Sequence, residues 1–348
     1  QVDVGLDAVL FNNRLNLSVD FFNKNTKNLI KTQDVNWPTT IGIASPLIND
    51  GQVNNRGLEI SALWKDRIGK DIGYYVSANV ATLRNRLTNI GAANPDGSKP
   101  VWTYEDDYHY KELTPYRSAE GKPLYSYYLL RTDGVFQTDA EAAAYVNSNG
   151  QRLQPKAKAG DLKFVDIDQN GSIGEGDYEF RGNAMPKMTY AFSAGFSYKK
   201  FSFDFMLQGS YGAKLFNAYK YTTLNEAVGS FNRSEKILKA LEGPTYDVPR
   251  ISMTDDNDNF GRISDWYLES GSYLRMKNIS ISYSFSDLLR KLAFFNQRQS
   301  TLDLTLSCDN LFTITPYSGI DPEVGGVGLD CGQYPVSRTI SLLSLIHI

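Results

Sequence analysis

Between positions 166 and 177 the chain reads DIDQNGSIGEGD, with an oxygen-bearing side chain at nearly every second position and glycine sixth. Asp166, Asp168, Asn170 and Ser172 stand at positions one, three, five and seven of a twelve-residue loop, and Gly171 supplies the sharp turn. Hard cations take several oxygen ligands from such a spacing. Asp177 closes the loop where a sensor EF-hand has a bidentate Glu. These five residues are the candidate metal ligands. The expected ion is a structural Ca2+, at the about 10⁻⁴–10⁻³ M affinity typical of extracellular modules. An Asx-rich turn without an ion is the alternative. An EF-hand also needs a helix on each side, and here the neighbouring segments look like strands.

A second stretch with chemical promise is VWTYEDDYHY at 101–110. Trp102, Tyr104, Tyr108 and Tyr110 are candidate ligand-binding residues, able to stack on sugar rings or a partner protein, while Glu105, Asp106 and Asp107 accept hydroxyl hydrogen bonds. Packing of the same rings against neighbouring loops is an equal alternative. The run TDDNDN at 254–259 lacks regular spacing and is expected to be a solvated loop tip. TDAEAAAYV (138–146), capped by Thr138 or Asp139, and NEAVGSFNRSEKILKALEG (225–243) are expected helices.

Period-two alternation positions these residues. Val2, Val4, Leu6, Ala8 and Leu10 share one face against Asp3, Gly5 and Asp7; Leu15, Leu17, Val19 and Phe21 repeat the pattern. Further alternating segments lie at 58–64, 74–80, 190–198, 201–209, 279–285 and 301–307 and after Pro335. About nine strands result, close to the 9–11 residues that cross an outer membrane at a tilt. Short links at 12–14, 65–73, 199–200 and about 286–300 alternate with long ones at about 25–53, 89–186, 212–271 and 311–334. Transmembrane barrels sort loops this way, with short periplasmic turns and long outer loops. The fold class expected is all-β, an antiparallel transmembrane β-barrel fragment with long extracellular loops.

Composition agrees. The 348 residues carry a net charge of -3, which recommends no nucleic acid. Two histidines leave little room for a His-based metal centre or triad, and two cysteines exclude a disulfide framework. Mean hydropathy is -0.37, and no apolar run is long enough for a membrane helix, which does not bear on barrel strands. Cys308 continues the apolar set of Leu302, Leu304 and Leu306, so it and Cys331 are expected to be free thiols.

NNRGLEIS (54–61), GDLKFVDIDQNGSIGEGD (160–177), SYLRMKNISISYSF (272–285), DNLFTITPYSGIDPE (309–323) and YPVSRTISL (334–342), in this order, resemble the C-terminal half of SusC/RagA-type TonB-dependent outer-membrane transporters. The resemblance implies a 22-stranded barrel with an N-terminal plug, lying in outer-membrane lipid of a bacterial cell. It further implies energy from the TonB complex through that plug, a SusD-type lipoprotein partner, and import of oligosaccharide or peptide substrates. On this reading residues 1–348 are one domain, the last nine strands of the barrel. The chain is expected to be a fragment without plug or first strands. Because LLSLIHI (342–348) loses the alternation, residues from about 343 to 348 are expected to be a non-native tail. Other classes remain: a secreted calcium-stabilised sugar-binding β module, or a glycoside hydrolase, for which no carboxylate pair stands out.

Overall fold

The computed structural model describes residues 1–32, 47–91, 99–103, 108–229, 231–285, 287 and 301–347. Nine strands form one antiparallel meander, each paired with its successor: β1 Val2–Leu10, β2 Leu15–Lys27, β3 Gln52–Ile68, β4 Ile72–Asn89, β5 Met188–Tyr198, β6 Phe201–Tyr211, β7 Tyr273–Ser284, β8 Thr301–Asp309 and β9 Thr339–His347. A two-residue strand, Thr313–Ile314, adds to the outer end of β7. All the long connections leave from one end of this sheet and the short ones from the other. The link between β7 and β8 lies mostly outside the described residues.

Register turns the alternation into two surfaces. Ala8, Leu17, Ala62, Ala78, Phe192, Leu207 and Met276 are successive cross-strand partners, an apolar row unbroken over seven strands. One residue along, Asp7, Ser18, Ser61, Asn79, Ala191, Gln208 and Arg275 form the matching row, polar at all but Ala191. The apolar face is bare: Leu6 is 62% exposed and Leu306 50%. A continuous apolar face of this extent is the surface that lipid covers. Above the row of Phe21, Leu58 and Thr82 the same face turns to Asn23, Arg56 and Arg84, which ends the apolar band.

β3 and β4 run well past the segments the alternation marks, to 17 and 18 residues. Their outer halves carry NNR and RNR, polar on both faces, because outside hydrocarbon the ladder needs no apolar side. At β9 the pairing with β8 continues to His347 through the stretch where alternation fails. Leu343 and Leu345 therefore sit opposite Thr305 and Asp303 on the polar face, and Ser344 opposite Leu304 on the apolar one.

The hydrophobic core lies in the outer connections. Leu113, Tyr116, Tyr127, Leu129, Phe164, Phe216, Phe260 and Tyr267, from the 89–188 and 211–273 connections, pack into one cluster. Small sheets frame it, among them 178–183, 126–130, 116–118 and 102–103 in that order, and 268–270, 214–217 and 329–330. Tyr127 is a hub: its ring stacks near Phe216 and its one hydroxyl proton is within reach of the carbonyls of Lys214, Val327 and Gly328, where three connections meet. Helix α1, Asp139–Ala144, forms as its cap predicts, with the Thr138 hydroxyl accepting from the Glu141 amide at 3.1 Å. The expected helix over 225–243 is shorter: a 3-10 turn at Glu235–Leu238 runs into α3, Lys239–Glu242, while α2, Tyr219–Leu224, precedes the stretch.

One ion pair fastens this body to the barrel wall. Arg275 on the polar face of β7 is 2% exposed; its guanidinium donates to Asp321 at 2.7 Å, to Glu323 and to Thr313. Removing one partner of a buried pair strands the others, at about 3–5 kcal/mol. In the full-length protein, Arg275→Ala should expose residues 311–334 to limited proteolysis while heat-modifiable migration of the barrel persists. Unchanged cleavage of that connection would show that the pair does not hold it.

Candidate functional site

The acidic loop is held between strands. Leu162–Phe164 enters it, a 3-10 turn at Glu175–Asp177 leaves it, and Tyr178–Asn183 follows. Gly171 has φ +86°, and a side chain there would also press on Asn147, whose amide donates to the Gly171 carbonyl at 3.1 Å. Asp166, Asp168 and Asp177 come together, one carboxylate oxygen of each within 4.8 Å of the others. No Lys or Arg pairs with these three among the described residues. One Asp166 oxygen accepts from the Gly171 amide at 2.9 Å, while the other is buried without a hydrogen-bond partner among the described residues. Asp177 is fully buried, with its oxygens accepting from the amides of Ile167 at 2.6 Å and Gly174 at 2.8 Å. Asn170 donates to Asp168, and Ser172 to Asn170, in successive Asx turns. Chemically this is a compact, acceptor-rich loop of the kind that takes a hard cation.

The aromatic stretch divides. Trp102 is 8% exposed, packed with Val53, Leu87 and Ile90 under the Lys31 ammonium. Tyr110 is half-buried, its edge on Tyr221 and its hydroxyl donating to Thr222. Tyr108 is at the surface, edge-on to Tyr116 and Tyr125. Tyr104 lies outside the described residues. Packing accounts for Trp102, and Tyr110 is packed on one edge and partly open.

The run 254–259 is solvated only in part: Thr254, Asp256 and Asp258 are exposed as expected, while Asn257 and Asn259 are buried. Asn259 donates to Asp161 and accepts from the Leu162 amide; Arg250 donates to the same Asp161 at 2.9 Å. This polar clasp joins two outer connections, and a run of acids and amides gives no hint of it before folding. Burial pushes the Asp255 carboxyl up to about 6, against the pull of the Phe260 and Asn259 amides.

A cavity of about 1340 Å³ opens where the outer end of β4 meets the three connections. Its lining draws on residues from Leu83 to Ile320, so no local motif announces it. Within it Lys220 and Glu269 pair at 2.8 Å; burial lowers the Lys220 pKa, and the Glu269 charge opposes that shift.

Residues 1–311 match the family described as TonB dependent receptor-like, beta-barrel. The chain belongs to that family. Among curated relatives, TonB-dependent receptor P3 of Formosa agariphila is 29% identical over 98% of this chain and 33% of its own length. TonB-dependent receptor SusC of Bacteroides thetaiotaomicron is 22% identical over 98% and 31%. The RagAB peptide importer in its closed-closed state matches with a TM-score of 0.71 and 25% identity, over 99% of this chain and 35% of that one. The chain thus spans about a third of the length of its relatives. Barrels of this family lie in the bacterial outer membrane, so the bare apolar face of this TonB-dependent receptor barrel is its lipid face. Its curated relatives are receptors and not enzymes, which removes the hydrolase alternative. Cys308, on that lipid face, and Cys331 are free thiols.

Because Asp255 binds its proton more tightly folded than unfolded, its own contribution to stability is fully present below the ordinary carboxylate value of 3.8 and is lost as pH rises through about 6. In the full-length receptor, amides of residues 250–267 should open more readily at pH 7 than at pH 5 in hydrogen exchange corrected for intrinsic rates. Asp255→Asn should flatten that dependence; an identical slope in the variant would locate the titration elsewhere.

Proposed function

We propose that the whole protein is an outer-membrane active transporter that imports large nutrients, glycans or peptides, with energy from TonB and a SusD-type surface lipoprotein as partner. The observation that carries this is the match of nearly the whole chain to SusC and to the RagAB peptide importer, outer connections included. On this reading the nine strands belong to a 22-stranded barrel whose plug and TonB contact lie outside residues 1–348. The packed outer body is the part a lipoprotein lid would meet. Deleting the gene and restoring it at full length, in strains with and without TonB, tests the proposal through uptake of glycan and peptide panels. Uptake that is lost on deletion and needs TonB supports it; uptake of every panel member unchanged by deletion overturns it.

The acidic loop has a role within the same reading. Three converging carboxylates without a cationic partner, and a buried Asp166 oxygen without a donor, support a bound Ca2+ that stiffens the outer body. Asp166, Asp168 and Asp177 would hold it, with Asn170 and Ser172 as further oxygen donors. Asp166→Ala with Asp168→Ala in the full-length protein should make the 147–177 segment more protease-sensitive in calcium and insensitive to chelator. Barrel assembly should persist, because the loop lies outside the strand ladder. Equal cleavage of the wild-type loop with calcium and with chelator would end the metal role.

A further inference from the structure

We infer that the large outer cavity binds an oligosaccharide carrying anionic groups, carboxylates or sulfates on its sugar rings. The inference rests on the importer reading and names its substrate class. Nine Lys and Arg residues line the cavity against three carboxylates, in a protein of net charge -3. Each carboxylate is already taken: Asp247 by Lys239, Asp265 by Arg181 and Glu269 by Lys220. Six cations remain, Arg84, Arg86, Lys122, Lys187, Lys214 and Lys236, and none forms an ion pair among the described residues. All six are solvent-exposed. Like charges gathered around one concavity repel each other and focus a positive field into it, which draws an anion in.

The remaining lining suits a sugar. Tyr219 and Tyr246 are 37% and 42% exposed, leaving apolar ring faces with a polar edge. Between the cations stand amides and hydroxyls, Asn183, Asn217, Ser234 and Ser318, which match ring hydroxyls. Asn217 is 3% exposed; its Nδ2 donates to Glu269 at 3.1 Å, while its Oδ1 has no hydrogen-bond partner among the described residues. The volume exceeds the about 300–1,000 Å³ usual for a small-molecule pocket, as an oligomer requires.

Calorimetric titration of the full-length protein with its lipoprotein tests this, using size-matched oligouronate, sulfated oligosaccharide, uncharged oligosaccharide and acidic peptide. At least one anionic glycan should bind about tenfold tighter than the uncharged one, and weaken about tenfold between low and high salt. The uronate and sulfate arms identify the acid. Lys187→Gln with Lys214→Gln and Lys236→Gln should abolish the preference, while Lys65→Gln with Lys70→Gln and Lys199→Gln, at the opposite end of the wall, should keep it. Tighter binding of the uncharged glycan or the acidic peptide overturns the inference, as does a preference unchanged in the cavity variant. If uptake of a neutral glycan or peptide still depends on the protein, only the anionic class falls. If uptake of nothing depends on it, the importer reading falls and takes this inference with it.

Discussion

Hydrocarbon offers no partner to a backbone N–H or C=O, so every such group at membrane depth must be paired within the protein. Within the nine-stranded ladder β2 to β8 are paired on both sides, and the rest of the chain is organised around it. Pairing comes first and side chains follow: where β9 loses its alternation, the ladder with β8 goes on, and it is Leu343 and Leu345 that are displaced to the polar face. The same priority allows β3 and β4 to continue beyond the apolar band with polar residues on both faces.

A wall one strand thick, with lipid on one side and a polar face on the other, has no interior in which to bury side chains. The core is accordingly displaced to the outer connections, where Tyr127, Phe216 and Tyr267 pack as they would in a soluble domain. Trp102 packs on Val53 and Leu87 at the outer end of the wall, and polar bonds fasten the body elsewhere. Arg275 does this with Asp321 and Glu323, and Tyr273 adds a bond from its hydroxyl to Glu323. Two of the sequence stretches that carry the family resemblance, 272–285 and 309–323, are the two sides of this junction.

The wall was legible because its rule is local. Period two, strand length and loop asymmetry are each visible within a few residues, and they led to nine strands and to the correct sides for Leu306 and Cys308. Loops 166–177 and 138–146 were legible for the same reason: Gly171 and the Thr138 cap act on their immediate neighbours. What depends on distant partners was not. TDDNDN looks solvated until Asp161 and Arg250 arrive from elsewhere, and Trp102 looks available until Leu87 and Ile90 close over it. Helix α2 was invisible because YKYTTL has poor helical propensity, and four of its six residues are held by burial.

Net charge illustrates the same limit. A value of -3 averages over sites of opposite character: three carboxylates converge in the 166–177 loop, and six cations with no ion pair among the described residues line the cavity. Screening confines each field to about 8–10 Å, so the two do not cancel across the outer body. A ligand or ion therefore meets a local charge, set by which connections fold together. That local charge, and not the composition, decides what the outer body can hold.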